Sequence, residues 1–239
     1  MSQPKLGILV AMPQECRSLT TQRIPAGGLL ALDEGCLVGL SGAGPEAAAR
    51  CAALLAGEGV TALLSWGCAA ALDPALKPGD LVLPASIIGA DGHTLATDPD
   101  WRGRLVSKLE PRLTVYQGKL LESRRIVSSA AEKRALFANT GTVALDMESA
   151  AAARAALEFK LPFLAVRSIV DPADIDIPPS IAAAFDENGT LHVPRMLGRA
   201  LLRPADFIGV IQLGRHFSAA METLKAVATI ARANRFAAP

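Results

Sequence analysis

The residues best suited to chemistry in this sequence are acidic groups that each follow a short apolar run. Asp146-Met147-Glu148 follows the run at 143–145, and Asp171 follows the run at 163–170. Each group alone has a structural explanation, because Asp and Glu are favoured in the first turn of a helix and Asp before Pro often opens a turn. Together they place a carboxylate at each of two neighbouring strand ends, the arrangement needed to stabilise a sugar cation while protonating its leaving group. The pair therefore favours a reaction at a glycosidic bond.

A second candidate motif is the run GAGPEA at 42–47, which fits the dinucleotide fingerprint G-x-G-x-x-A between a strand and a helix. Pro45 removes one of the backbone N–H groups that would hold a pyrophosphate, and no acidic residue ends the next strand near Ser65. We therefore interpret the glycines as a tight turn that lets helix and sheet pack closely. No nicotinamide or flavin cofactor is expected.

The elements that must position these residues follow from the alternation of short apolar runs with Ala-rich helical stretches. This alternation is typical of an α/β fold with a central, mostly parallel sheet. The predicted strands are 6–12, 37–40, 61–65, 81–84, 143–145 and 163–170, and the predicted helices are 45–56 and 147–159, with a loop of small residues at 66–71. Beyond residue 179 the pattern is helical with no further strand.

Several predicted strands end in small or acidic residues, namely Glu15, the segment 65–70, the segment 146–148 and Asp171. In open parallel sheets, ligands bind outside the carboxyl ends of the strands. We therefore expect three or four of these ends to converge on one pocket.

Composition excludes several classes of protein. The 239 residues carry 24 Lys and Arg against 23 Asp and Glu, and the net charge of +1 provides no case for nucleic-acid binding by the whole chain. With 51% hydrophobic and only 4% aromatic residues, small aliphatic side chains must fill a large core. The longest charge-free apolar stretch, 59–72, is too short to span a bilayer, and no signal peptide is evident. We expect one domain over residues 1–239.

The four cysteines have neither C-x-x-C spacing nor a nearby His; they are Cys16, Cys36, Cys51 and Cys68. We expect them to be buried thiols in a reducing cytoplasm, without a disulfide framework or a metal site. The three histidines are isolated in the sequence and are expected on the surface or in loops; they are His93, His192 and His216.

Charge is concentrated in the C-terminal tail, 195–239, where seven Lys and Arg face two acidic residues, a local charge of +5. The tail has helical spacing from about residue 205 to 236. The simpler interpretation is a packing helix with a solvated basic face. The alternative is attachment to an anionic membrane surface.

Five blocks of sequence, in order over residues 5–174, resemble the purine nucleoside phosphorylase and 5′-methylthioadenosine/S-adenosylhomocysteine nucleosidase superfamily. The blocks are GILVAM at 7–12 with Glu15, SGAG at 41–44, GCAAAL at 67–72 with LKPGDLV at 76–82, LDMES at 145–149, and VRSIVD at 166–171. The resemblance implies a three-layer α/β/α domain around a central mixed sheet, a small-molecule nucleoside as ligand, and a homo-oligomer. It also implies that no metal or organic cofactor takes part.

The resemblance assigns roles to individual positions. Asp171 corresponds to the acid that protonates the purine as the glycosidic bond stretches, and Glu148 to the carboxylate that binds the ribose hydroxyls. Glu15 corresponds to the residue that activates the attacking water in the nucleosidases. The other positions implied to contact the substrate are Met147 against the ribose, Ile126 and Val127 at the purine edge, and Cys68 and Ala69 in the small-residue loop.

Two departures leave the nucleophile open. In the family that the sequence resembles, the loop corresponding to the one after Ser65 usually carries a Ser that contacts the nucleophile. This chain has Cys68 at that position. Phosphorylases also place an Arg just upstream to neutralise phosphate, where this chain has Ser65. The sequence therefore leaves open whether the nucleophile is water or inorganic phosphate as co-substrate. If it is phosphate, Arg23, Arg124 or Arg125 could supply the missing cation from elsewhere in the chain.

The tail from residue 178 to 216 further resembles the hopanoid-associated phosphorylase subgroup of bacteria, through ALLRP at 200–204 and LGRH at 213–216. This likeness implies cleavage of a 5′-substituted, lipid-linked adenosine, with adenosylhopane as the expected substrate. It also implies a cytoplasmic enzyme in peripheral contact with the inner membrane through its tail. The alternatives are a methylthioadenosine/S-adenosylhomocysteine nucleosidase and a nucleoside-binding protein without turnover.

Overall fold

A computed structural model describes residues 5–178, 181 and 206–239. The described part contains one mixed sheet of eleven strands. The strands are β1 (Leu6–Val10), β2 (Leu29–Asp33), β3 (Cys36–Leu40), β4 (Ala62–Ala71), β5 (Leu81–Val82), β6 (Ser86–Ile88), β7 (Thr94–Ala96), β8 (Val115–Tyr116), β9 (Lys119–Glu122), β10 (Ala144–Asp146) and β11 (Phe163–Asp171). Their order is β2-β3-β1-β4-β10-β9-β6-β7, with β11 pairing with β4 and β5, and β8 with β5.

The centre of the sheet is parallel: β1 lies between β3 and β4, and β11 runs parallel to β4 on its other side. These strands are apolar along almost their whole length because both faces of the sheet are covered. All five residues of β1 and of β3 are buried. The predicted central strands are therefore confirmed.

The described helices are α1 (Pro13–Cys16), α2 (Pro45–Gly57), α3 (Pro99–Leu109), α4 (Ala130–Thr140), α5 (Ser149–Glu158) and α6 (Asp206–Ala231), followed by a 3-10 segment, Arg232–Ala237. The apolar side chains of α3 and α6 pack on one face of the sheet. Those of α2 and α5 pack on the other face, where Ala side chains allow close approach. The result is the expected three-layer α/β/α architecture around a mixed sheet.

The segment predicted as a small-residue loop, 66–71, is instead the second half of β4. Partner strands take up its backbone hydrogen bonds: β11 runs alongside as far as the pairing of Asp171 with Ala70, and β10 pairs Leu145 with the same Ala70. This pairing flanks the carboxyl end of β4 with the two strands that carry the candidate acids.

Within the predicted basic tail, α6 packs on the sheet through buried side chains that include Met221, Leu224 and Val227. This arrangement matches the packing-helix interpretation for that part of the tail. Residues 195–205 of the tail, the ALLRP segment and His192 lie outside the described residues. Among the helices described, none combines the length and apolar character needed to cross a membrane.

Candidate active site

Glu15 lies on the short helix α1 directly after β1, and its side chain is buried. One carboxylate oxygen, Oε1, accepts a hydrogen bond of 2.8 Å from the backbone N–H of Cys68, and Oε2 accepts one of 3.1 Å from that of Met12. Burial raises the pKa of Glu15, while these two N–H groups oppose the rise. A side chain at Gly67 would collide with the carboxylate, since its Cβ would lie 2.8 Å from Oε1.

Glu148 occupies the turn between β10 and α5 and is partly buried. Its Oε1 accepts a 2.8 Å hydrogen bond from the backbone N–H of Gly44, which has a φ of 93°. The glycine turn therefore holds a carboxylate of the protein itself. Burial and the negative charge of Asp146 raise the pKa of Glu148 to about 7.

A buried guanidinium connects the carboxylates. Arg167, only 2% exposed, projects from the middle of β11; its Nε donates to Oδ2 of Asp146 at 2.5 Å and its Nη2 donates to Oγ of Ser65 at 2.6 Å. Electrostatic interaction with Asp146, Glu148 and Glu15 raises its pKa despite burial. By the resemblance, Ser65 stands where phosphorylases have an Arg. The guanidinium of Arg167, which sequence reasoning missed, lies beside this Ser65.

Asp171 ends β11 and is 5% exposed. The ammonium group of Lys133, on α4, lies 2.7 Å from its Oδ2. Burial raises the pKa of Asp171 to about 6, and the positive charge of Lys133 opposes the rise. Asp171 therefore combines a proton affinity near neutral pH with a fixed orientation, as a general acid requires.

The loop after β9 carries Ile126 and Val127. Val127 is 4% exposed and packs with Leu72 and Leu145, so its side chain belongs to the core, whereas Ile126 is partly exposed. The loop is tied to the segment after Asp171, because the carbonyl of Ser128 accepts a 2.8 Å hydrogen bond from the N–H of Ile177. The loop that carries both candidate purine contacts therefore lies against the segment that follows Asp171.

The remaining candidate positions lie at the carboxyl ends of β4 and β10. Met147 is partly exposed beside Glu148. Cys68 is partly exposed, and both burial and the Glu15 carboxylate raise the pKa of its thiol. The methyl group of Ala69 belongs to the core against α2 and α5, so a ligand could contact Ala69 only through its backbone.

The three arginines considered as substitutes lie elsewhere. Arg23 is exposed and lines a surface cavity of about 380 Å³ together with Arg17. Arg124 is exposed, and Arg125 forms an ion pair with Glu132. His93 is exposed in the turn between β6 and β7, as expected, and His216 is partly buried on α6. None of the described residues forms a cluster suited to hold a metal ion.

Sequence reasoning missed Arg167 and Lys133. A signal for Arg167 was present, because a charge in the middle of an apolar strand must be paired when the strand is buried. Lys133 gave no such signal, since it stands between Glu132 and Arg134 in what looks like a solvated helix face.

The family model described as the phosphorylase superfamily matches residues 5–199. A 5′-methylthioadenosine/S-adenosylhomocysteine nucleosidase of Buchnera aphidicola is 30% identical over 144 residues, which cover 53% of this chain and 57% of the relative. The match thus spans little more than half the length of that curated relative.

Solved structures of two Helicobacter pylori enzymes are also similar. A 5′-methylthioadenosine/S-adenosylhomocysteine nucleosidase superposes with a TM-score of 0.68 at 20% identity, covering 96% of this chain and 99% of the other. Futalosine hydrolase superposes with a TM-score of 0.69 at 20% identity, covering 95% and 97%. At this identity the likeness demonstrates a common fold.

Proposed function

Because the chain belongs to the phosphorylase superfamily, we propose that it is a nucleosidase that hydrolyses the bond between adenine and the ribose of a 5′-substituted adenosine. The observation that carries the proposal is the position of Glu15. Its buried carboxylate is held by two backbone N–H groups, and it interacts with the same guanidinium as Glu148. A fixed carboxylate beside the sugar site is suited to take a proton from water.

Electrostatics favours water over phosphate as the nucleophile. The buried guanidinium of Arg167 interacts electrostatically with three carboxyl groups, those of Glu15, Asp146 and Glu148. It already donates hydrogen bonds to Asp146, Ser65 and the carbonyl of Val166. A multiply charged phosphate ion would enter a region with excess negative charge, whereas a neutral water molecule would not.

The proposed reaction needs only protons and water, and so no metal or organic cofactor. As the C–N bond breaks, its electron pair passes to the purine, and a ring nitrogen takes a proton from Asp171. Glu148 binds the ribose hydroxyls and stabilises the developing positive charge on the sugar, and Met147 borders the ribose. Water attacks the anomeric carbon and transfers a proton to Glu15, so that adenine and a free sugar are released.

Adenosylhopane is the substrate that we propose, on the strength of the tail's resemblance to the hopanoid-associated subgroup. The relative of Buchnera aphidicola favours methylthioadenosine or S-adenosylhomocysteine as the second candidate, because of the substrates in its name. Competition kinetics between adenosines with short and with long apolar 5′ groups would distinguish the two. A higher kcat/KM for the short group would reject the lipid-linked substrate.

A lipid-linked substrate requires access to a membrane, and we propose that the C-terminal tail provides it from the cytoplasmic side. Ile208 and Ile211, near the start of α6, are 75% and 48% exposed. Co-sedimentation with vesicles containing anionic lipid tests this contact, with Ile208→Ser as the weakened variant. Equal sedimentation of both proteins would argue against contact through this end of α6.

The decisive experiment measures adenine release from 5′-substituted adenosines with and without phosphate and identifies the sugar by mass spectrometry. We expect a free sugar at equal rates in both buffers, and loss of this activity in Glu15→Gln but not in Glu34→Gln, which alters an exposed carboxylate. A sugar phosphate formed only with phosphate would identify a phosphorylase. Saturable binding without any product would identify a nucleoside-binding protein.

A further inference from the structure

Lys133 is a fully enclosed cation outside the set of groups that the proposed reaction uses directly. Its side chain is 0% exposed, and its ammonium nitrogen lies 2.9 Å from the carbonyl oxygens of Pro172 and Ile175. The third neighbour is Oδ2 of Asp171, at 2.7 Å. An ammonium group has three N–H donors; two of them donate to the carbonyl oxygens, and the contact with Oδ2 is an ion pair.

Helix α4 and the segment after Asp171 form one connected unit. The side chain of Asp176 accepts a 2.6 Å hydrogen bond from the N–H of Ala130, the first residue of α4. The N–H of Ile177 donates to the carbonyl of Ser128 at 2.8 Å. These two hydrogen bonds connect the start of α4 to the segment after Asp171, and Lys133 adds a charge to the same contact.

That charge changes the energy of the Asp171 proton. A buried ammonium without a counter-ion is unfavourable by several kcal/mol, and Asp171 is the acidic residue with which Lys133 pairs among the described part of the chain. The pair is neutral overall when Asp171 is ionised, and it carries an uncompensated positive charge when Asp171 is protonated. Lys133 therefore favours release of the proton, whereas burial of the carboxyl group retains it.

The two carboxylate oxygens of Asp171 differ in their surroundings. Oδ2 is enclosed beside Lys133, and the contact is ionic in geometry because Oδ2 receives no well-aligned hydrogen bond from the described residues. The 7% of the Asp171 side chain that is exposed therefore does not include Oδ2. Oδ1 is left as the oxygen available to a leaving group.

We propose that Lys133 is a positioning residue for departure of the purine: its ammonium fixes Oδ2 of Asp171 and stabilises the carboxylate that remains when the proton passes from Oδ1 to the ring nitrogen. This inference rests on the proposed function. The proton moves from Asp171 to the base, the C–N electron pair moves to the base, and Lys133 keeps its own proton throughout.

The other charged groups described near this segment do not supply a positive charge to Asp171 in place of Lys133. Asp174 and Asp176 lie on the same segment as Asp171 and carry the same sign of charge. His216, on α6, interacts electrostatically with Asp174. Within 5–178 and 206–239, the cation that acts on the Asp171 proton is thus Lys133 on α4.

The test compares Lys133→Met, which keeps the length but removes the charge, with Lys133→Gln, which retains an N–H donor for the carbonyl groups. Arg134→Met is the matched control, because it removes an exposed cation from the adjacent position of the same helix. The measurements are the pH profile of kcat/KM for adenine release and the titration of the Asp171 carboxyl group by ¹³C NMR, assigned with Asp171→Asn.

In both Lys133 variants, we expect the pH at which activity is lost to rise by about one unit or more. The titration midpoint of Asp171 should rise by the same amount, because the carboxylate has lost its counter-charge. We also expect kcat at low pH to fall about tenfold or more, because a weaker acid protonates the base less effectively. The control should match the wild type in both measurements.

Unchanged pH profiles and midpoints in both variants would overturn the proposal, even if their thermal stability fell, since anchoring alone moves neither quantity. A shift in Lys133→Met but not in Lys133→Gln would also overturn the role of the charge. If Lys133→Met fails to fold, Lys133→Gln decides the question alone. Absence of adenine release by the wild type would overturn the proposed function, while the NMR midpoint would still show whether Lys133 governs the Asp171 proton.

Discussion

Three carboxyl groups of the site share one physical condition and differ in their nearest partner. Burial raises the pKa of Glu15, Glu148 and Asp171. Backbone N–H groups stabilise the ionised form of the two glutamates, whereas an ammonium group faces Asp171. Because each partner sets a different balance between burial and charge, identical functional groups can take the proposed roles of base, ribose ligand and acid.

Asp171→Asn tests the acid. The amide has nearly the shape of the carboxyl group but cannot donate the acidic proton, so we expect adenine release to fall by about 10²–10⁴-fold. Near-UV circular dichroism should show an unchanged fold. Asp174→Asn is the control, because it alters an exposed carboxylate of the same segment. Wild-type activity in a folded Asp171→Asn protein would show that another group protonates the purine.

Glu148→Gln tests whether ionisation of the Glu148 carboxyl group lowers the stability of the folded protein. Folding raises the pKa of Glu148 from 4.5 to about 7, so the folded state binds more protons than the unfolded state between these values. The wild type therefore loses stability as pH rises through this window, whereas the neutral amide does not. We expect Glu148→Gln to be more stable than the wild type at pH 8, by at most about 3 kcal/mol.

The measurement for this variant is urea unfolding across the same pH range, and the stability gain should disappear towards pH 4.5. Glu158→Gln, at the exposed far end of α5, serves as the control. A stability difference that is constant with pH would show that Glu148 ionises in the folded protein as it does in the unfolded chain.

At the scale of elements, β4 can approach α1 closely because Gly67 on β4 has no side chain. Gly67→Ala would place a Cβ 2.8 Å from the Glu15 carboxylate. The carboxylate ends a flexible side chain and can move away, so we expect the fold to survive. The two hydrogen bonds from Met12 and Cys68 would be lost, and kcat should fall about 10²-fold because the base is displaced.

Gly103→Ala is the control for this variant, because its Cβ would meet nothing within 4 Å in the middle of α3. It should stabilise the protein by about 1 kcal/mol through helix propensity and leave kcat unchanged. Full activity in Gly67→Ala would mean that the reaction does not depend on the exact position of Glu15.

The sheet was predictable where strands are long and buried, and only in part where they are short. Continuous apolar runs marked β1, β3 and β11, and each run ends at a candidate residue or motif of the site. Among the short strands, β5 lies within the run predicted at 81–84 and β10 overlaps the run predicted at 143–145. Strands β6 to β9 have two to four residues each, too few to display a period. The course of β4 beyond Ser65 depends on partner strands that are distant in sequence.

The same distinction holds for the site residues. Asp171 and Glu148 stand at strand ends, where the chain itself indicates a ligand. Lys133 acquires its role only when α4 packs against the segment after Asp171, a contact between residues 38 positions apart. Arg167 differs from Lys133, because a single charge inside an apolar strand can be recognised in the sequence, although its partner cannot.

For the whole molecule, the uncovered apolar surface bears on the predicted homo-oligomer. Large apolar side chains are exposed on the layer formed by α2 and α5: Leu157 is 72% exposed, Leu54 is 50% and Phe159 is 43%. These side chains lie near the C-terminal ends of two helices that pack on the same face of the sheet. A contiguous patch of exposed apolar side chains often marks a protein–protein contact.

We expect light scattering coupled to size-exclusion chromatography to show a homo-oligomer, and Leu157→Glu to convert it to a smaller species. Burying a carboxylate in an apolar interface without a partner is unfavourable by several kcal/mol, enough to reduce association about 10³-fold or more. Lys108→Glu places the same charge on α3 in the opposite layer and should leave the mass unchanged. A monomeric wild type would refute the homo-oligomer, and an oligomer unaffected by Leu157→Glu would place its interface elsewhere.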